Sequence, residues 1–261
     1  MVRVGFIGVG RMGSALLSGF IGKGLISASD VRAYDKNLSS VKRMNVGYEY
    51  SSFEVVEKSE VVFLCVKPKD MDDVLDEIRD IAGSRLIVSI AAGISLKRIE
   101  SKLKEARVIR VMPNTPAMIQ ETAAAYSLGT LAREEDAMFV GSLLNSIGVA
   151  YRVEEKDLDA VTGLSGSGPA YVYLMIDALM EAGIKEGLDE EVALNLTLQT
   201  VRGAADMVAA TNKSPMELIA EVKSPKGTTV EGLKVLEKCR VRKAFQDAVK
   251  AAAKRSRELG K

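Results

Sequence analysis

The chain reads as an α/β fold, a mainly parallel, doubly wound sheet, followed by an all-α second part. Three observations predict this. Up to residue 155, short runs rich in Val and Ile alternate with stretches whose apolar residues recur at helical spacing. After Glu155 the strand-like runs stop, and Ala, Leu and Met dominate with small residues between them. A glycine-rich turn directly follows the first apolar run.

In chain order, strands are expected at Val2 to Ile7, Val31 to Tyr34, Val61 to Val66, Leu86 to Ile90 and Val108 to Val111, then at Ala123 to Leu128 and Val149 to Val153. Helices fall between them at Arg11 to Lys23, Asp70 to Ile81, Ser95 to Leu103 and Arg133 to Ile147; Met71, Val74, Leu75 and Ile78 show the spacing. Such alternation puts helices on both faces of the sheet. The second part is expected to hold helices at Asp157 to Leu164, Ala170 to Gly187, Glu190 to Ala210, Pro215 to Lys223, Thr229 to Lys238 and Arg240 to Leu259, with Pro169 and Pro215 suited to first-turn positions. Two domains follow, residues 1–155 and 156–261. The helix from Ala170 carries Tyr171, Val172, Leu174, Met175, Ile176, Leu179 and Met180 around nearly its whole circumference. A helix apolar all round is usually buried on every side. A domain of roughly 100 residues has limited capacity to surround it alone, so a second subunit is expected to complete its burial.

Composition narrows the chemistry. The 261 residues are 47% hydrophobic and 27% charged, which suits a packed globular protein. Lys plus Arg number 36 against 35 Asp plus Glu, so no net field favours a nucleic acid or an anionic membrane. A small-molecule partner is the expectation. With no histidine, imidazole bases, shuttles and metal ligands are excluded. Cys65, in an apolar run, and Cys239 share no metal-ligand spacing, so no metal is expected. The opening residues Met1 to Gly8 lack signal-peptide features and no apolar run reaches the ~18 residues of a membrane span, so the expected compartment is the cytoplasm.

Gly8-Val9-Gly10-Arg11-Met12-Gly13 fits G-x-G-x-x-G between a strand ending at Ile7 and a helix, the Rossmann-like context in which the motif has a mechanism. Gly8 permits the tight turn, Gly10 lets a pyrophosphate approach the backbone, and Gly13 lets helix and strand pack closely. Asp35 ends the second strand, 22 residues after Gly13, where an acid suits the ribose hydroxyls of NADH. Lys36 beside it suits the 2′-phosphate of NADPH, so both coenzymes stay open. Val66-Lys67-Pro68 and Ala91-Ala92-Gly93 end further strands, where small residues and a Pro-fixed backbone let a nicotinamide pass close to main chain. Val111-Met112-Pro113-Asn114-Thr115-Pro116-Ala117 forms a rigid loop at the same edge, with Asn114 a candidate cofactor contact. Leu164 to Ala170 and Lys223 to Thr229 place hydroxyls and free N–H groups at helix starts, an arrangement that binds carboxylate or phosphate.

Together with Val66-Lys67-Pro68 and Ala91-Ala92-Gly93, the strings Arg110-Val111-Met112-Pro113-Asn114-Thr115-Pro116, Gly166-Ser167-Gly168-Pro169-Ala170 and Ser224-Pro225-Lys226-Gly227-Thr228-Thr229 strongly resemble the pyrroline-5-carboxylate reductase family, from the first strand to Leu259. The resemblance implies reduction of 1-pyrroline-5-carboxylate to L-proline by NADPH or NADH, the last step of proline biosynthesis. It also implies an all-α dimerisation domain, a homodimer that can gather into larger rings, and a substrate site at Glu155, Ser224, Gly227, Thr228 and Thr229. In it Thr229, the catalytic candidate, stands beside the imine nitrogen. Family members usually have glycine where this chain has Lys226, which is expected to be either a solvent-facing side chain at negative φ or an extra cation near the substrate carboxylate. β-Hydroxyacid dehydrogenases are similar in architecture but use a lysine on a second-domain helix; here the helix from Pro169 places Asp177 and Glu181 mid-way and reaches Lys185 only near its end, which favours an imine over an alcohol.

Overall fold

The computed structural model describes residues 2–260; Met1 and Lys261, the outer ends of the two expected domains, lie outside the described residues. In chain order the first unit runs β1 (Val4–Ile7), α1 (Arg11–Gly22), β2 (Val31–Tyr34), α2 (Leu38–Lys42), β3 (Gly47–Tyr48), α3 (Ser52–Glu57), β4 (Val61–Leu64), α4 (Met71–Ile78), β5 (Leu86–Ser89), α5 (Leu96–Lys102), β6 (Arg107–Met112), β7 (Thr122–Leu128), α6 (Glu134–Ser146), β8 (Gly148–Arg152) and α7 (Leu158–Val161). The strands form one sheet in the order β3-β2-β1-β4-β5-β6-β7-β8. Neighbours are parallel except β6 and β7, which pair antiparallel.

Period-two alternation splits the core into two layers. Val4, Phe6, Val61, Phe63, Leu86 and Val88 face α1, while Ile7, Val62, Leu64 and Ile87 pack with Met71, Leu75 and Ile78 of α4. Phe6 and Phe63 stack with ring centroids 4.8 Å apart. Each fully buried side chain of this size contributes about 1.5–3 kcal/mol, so the sheet unit builds a core from its own residues.

The elements between Asp35 and Glu60 were not legible from periodicity. β3 has two residues and α2 five, too few for a repeat to show. Their signals are caps: the Asn37 side chain accepts from the Ser39 N–H, and the Ser51 side chain from the Glu54 N–H. The helix expected to run to Leu164 ends at Val161 and continues as a π-helical turn, Thr162–Gly166. A Cβ on Gly163 would meet the Val249 carbonyl oxygen at 2.5 Å, so the turn widens where the last helix presses on it.

The second unit comprises Ala170–Ala248. It contains most of α8 (Gly168–Lys185), then α9 (Glu190–Ala210), α10 (Pro215–Glu221), α11 (Thr228–Lys238) and the start of α12 (Val241–Leu259), whose end belongs to the first unit. By contacts the chain divides after Pro169, not after Glu155. The segment in between is held to the first unit: Leu158 is fully buried, and the Ser256 hydroxyl lies 2.6 Å from Asp159 Oδ1.

Candidate active site

The turn after β1 is built by its glycines. Gly8 sits at φ +93°, and a Cβ there would lie 2.7 Å from the Cys65 carbonyl oxygen; at Gly13 it would collide with the Gly8 carbonyl oxygen. Only glycine lets α1 start this close to β1 and β4. At Gly10, the N-cap of α1, an added Cβ would meet nothing within 4 Å. No side chain caps α1 and no acid lies in its first turn, so the positive end of its dipole is open to an anion.

Gly10 faces a recess of about 470 Å³ lined by Ile7, Gly8, Tyr34, Asp35, Lys36, Asn37, Val66, Lys67, Lys69 and Asp70. A second recess, about 280 Å³, continues past Met12, Val66, Lys67, Pro68, Ile90, Ala91, Ala92, Met112, Asn114 and Gly166. Cys65 lines both, and burial pushes its thiol far above the usual range, leaving it a neutral wall. The two recesses cross the C-terminal ends of β2, β1, β4, β5 and β6, where ligands of doubly wound sheets bind. A larger hollow of about 660 Å³, beside Asp76, Arg79 and Lys102, lies at the opposite strand ends, away from the glycine turn.

Most candidate cofactor residues therefore line one continuous edge; Val9, Arg11, Gly13 and Gly93 do not. Val9 is 3% exposed and contributes its N–H, which donates to Asp35 Oδ2 at 2.7 Å. The other Asp35 oxygen accepts from the Asn37 N–H at 2.7 Å, so Asp35 braces the glycine turn as well as facing the recess. Gly93, at φ +76°, turns its missing side chain toward the last helix, where a Cβ would lie 3.0 Å from Leu259 Cβ. Its smallness serves packing against α12.

Two further candidates are engaged by the chain itself. Asn114 is 6% exposed; its Oδ1 accepts from the Ala123 N–H at 3.0 Å and its Nδ2 donates to the Ser165 carbonyl at 3.1 Å. Glu155 Oε1 accepts from the Leu96 N–H at 2.6 Å and from the buried Arg110 at 3.1 Å, tying β6 to the start of α5. Sequence spacing gave no signal for this link, because its partners lie 45 and 59 residues from Glu155.

In the second unit Ser224-Pro225-Lys226-Gly227 closes a turn through the Gly227 N–H to the Ser224 carbonyl at 2.9 Å. Pro at the second position with φ +60° at Lys226 is the pattern of a type II turn. Lys226 is solvent-exposed as one alternative expected, but its φ is positive, not negative. That corrects the expectation and explains why glycine suits the position: a type II turn needs φ above zero there. A Cβ on Gly227 would collide with the Ser224 hydroxyl. Gly227 is the N-cap of α11, and no side chain caps it, so Thr228 and Thr229 occupy an uncapped first turn.

A glycine turn at a helix start, set in a doubly wound sheet and followed by a helical unit, defines an NAD(P)-dependent oxidoreductase. The family described as "NADP oxidoreductase coenzyme F420-dependent" matches residues 3–93, and "Pyrroline-5-carboxylate reductase dimerisation" matches residues 155–259. A pyrroline-5-carboxylate reductase of Arabidopsis thaliana is 44% identical over 98% of this chain and 95% of its own length. One of Methanosarcina acetivorans is 40% identical over 99% and 98%. The crystal structure of Plasmodium falciparum pyrroline carboxylate reductase with NADP bound superposes with a TM-score of 0.92 at 33% identity, covering 100% of this chain and 98% of that one. A Coxiella burnetii pyrroline-5-carboxylate reductase gives 0.92 at 32% identity, covering 100% and 99%. The chain belongs to the pyrroline-5-carboxylate reductase family. It carries that family's dimerisation domain and is a homo-oligomer. Among the described residues no helix is long and apolar enough to cross a membrane.

Proposed function

We infer that this chain reduces 1-pyrroline-5-carboxylate to L-proline with NADPH or NADH, the last step of proline biosynthesis. The observation that carries the reading is the continuous edge of two recesses beside an uncapped α1, in a chain 40–44% identical to pyrroline-5-carboxylate reductases over nearly its whole length. The N–H groups of Arg11, Met12 and Gly13 would hold the pyrophosphate, with Ile7, Gly8, Val9 and Gly10 shaping the turn. Asp35 and Lys36 would meet the adenosine ribose; Val66, Lys67, Pro68, Ala91, Ala92 and Asn114 would wall the nicotinamide half, with Gly93 backing that loop from behind. A nicotinamide held by these residues would supply a hydride to the imine carbon.

The protein's task is then orientation. Holding the two reacting centres in contact geometry accounts for a large share of catalysis. The N–H groups of Thr228 and Thr229, with the Ser224 hydroxyl, would fix the substrate carboxylate through charge-assisted hydrogen bonds, while Gly227, whose own N–H closes the turn onto the Ser224 carbonyl, would leave the space the carboxylate needs. Thr229 would orient the imine nitrogen and relay its proton. Glu155 would be a further substrate residue, its carboxylate held by Arg110 and the Leu96 N–H. An imine nitrogen that arrives protonated needs no imidazole base, in keeping with a chain without histidine. The working form in this reading is a homodimer, able to gather into rings, in the cytoplasm, with neither nucleic acid nor membrane as partner; the nearly balanced charge supports the last point.

The test is Thr229→Ala. Turnover should fall by roughly 10- to 10³-fold, about 1.4–4 kcal/mol, with little change in coenzyme affinity. Because Gly227 is the N-cap and no side chain caps α11, the melting temperature should stay nearly unchanged. Thr229→Ser should retain much of the activity. Full kcat in Thr229→Ala would remove the threonine from the chemistry.

A further inference from the structure

The rim of the first recess holds an ion pair that the glycine motif does not explain. Asp70 stands at the N-cap position of α4, yet its carboxylate makes no cap hydrogen bond. It instead accepts from Lys36 Nζ at 2.8 Å, across 34 residues of sequence. Lys36 follows Asp35, and all three residues line the recess. We propose that Asp70 is a coenzyme-specificity residue: by engaging Lys36 it keeps that ammonium from a 2′-phosphate and tilts the chain toward NADH. The proposal rests on the reading that this recess takes the adenosine end of the dinucleotide.

The pairing of the charges, rather than their sum, argues the direction. Lys36, Lys67 and Lys69 line the recess against Asp35 and Asp70. Asp35 is fixed by the Val9 and Asn37 N–H groups, so one carboxylate stays where a ribose hydroxyl suits it and a phosphate does not. Lys36 is the cation adjacent to it in sequence and the natural partner for a 2′-phosphate of charge about −1.5 to −2. With Asp70 attached, the pair carries no net charge, and the ammonium offers a 2′-phosphate little attraction. Each pushes up or down as an ion pair should: the shared hydrogen bond holds the Asp70 carboxyl below its usual range and the Lys36 ammonium above its own. The Lys36 side chain is 73% exposed, so the pair is weak in stability terms and easily reopened. Its effect lies in where the charge is spent.

Asp70→Asn keeps the side-chain size, removes the charge and disturbs no cap. Fluorescence titration should show the ratio of NADPH to NADH affinity rising about three- to tenfold, the scale of one partly exposed charge contact, and the ratio of kcat/KM rising in parallel. The gain should shrink as salt is added. In a Lys36→Ala background the same substitution should recover less than half of that gain on a logarithmic scale, because the freed ammonium is missing. An unchanged ratio in Asp70→Asn overturns the proposal, and so does an undiminished gain without Lys36. Competition by 5′-AMP and 2′,5′-ADP on the wild-type chain tests the underlying reading separately: if neither displaces coenzyme, the recess is not the adenosine site, and the proposal falls with it.

Discussion

The sheet unit and the helical unit solve burial in opposite ways. In the first, Phe6, Phe20, Phe63, Leu16, Leu17 and Leu75 are fully buried by residues of the same unit. In the second, α8 has no buried residue and α9 has only Ala193 and Thr197, while Leu174 is 70% exposed and Leu196 56%. An apolar surface of this extent marks an interaction site. One unit buries its own core and the other, in a single chain, leaves its apolar faces uncovered, and it is this second unit that the dimerisation family, residues 155–259, overlaps.

Three substitutions would break or sharpen that contrast. The largest effect is expected from Leu179→Glu, 48% exposed in the single chain. If a second copy covers this face, the charge is buried without a partner, and light scattering should report monomers of 28.1 kDa or an unfolded helical unit in place of at least twice that mass. A dimer unaffected by Leu179→Glu, with Met175→Glu equally silent, would leave α8 outside the interface. Next comes Gly10→Val. A Cβ there meets no neighbour within 4 Å, so the fold should persist while the valine fills the space a pyrophosphate needs. Coenzyme binding by fluorescence should weaken by more than about 10²-fold, some 2.7 kcal/mol, with the oligomer intact. Wild-type affinity would show that the pyrophosphate lies elsewhere. The smallest effect belongs to Lys226→Gly, which relieves a side chain held at φ +60°. A gain of roughly 0.5–1 kcal/mol, or about 1–4 °C in Tm, is expected after the greater flexibility of glycine in the unfolded chain is deducted. A lowered Tm would mean that the lysine side chain makes a stabilising contact that outweighs the strain.

How far the sequence could be read varied with the range of the interaction. Long periodic segments were placed to within a few residues: α1 was expected at Arg11 to Lys23 and is Arg11–Gly22, and α9 was expected and found at Glu190 to Ala210. α2, β3 and α3 escaped because five, two and six residues carry no measurable period. In the candidate site the glycine turn was legible, since Gly8 and Gly13 are required by local geometry. The purpose of Gly93 was not, because what demands it is Leu259. Asn114 and Glu155 were recognisable as candidates, but the hydrogen bonds that occupy them reach Ala123, Ser165, Leu96 and Arg110 through the folded chain.

By itself the sequence determined the division into a doubly wound sheet and a helical part, the dinucleotide turn and the exclusion of imidazole chemistry, because each follows from residue type and spacing along the chain. Tertiary structure alone decided that Lys36 is paired with Asp70, that Gly93 yields its space to α12, that Glu155 is anchored on Arg110 and that Lys226 sits at positive φ. The physical reason is that these depend on which atoms end within a few ångströms of each other. Spacing in sequence governs periodicity and caps; contacts between residues 34, 45 or 166 positions apart exist only once the sheet and its helices have closed.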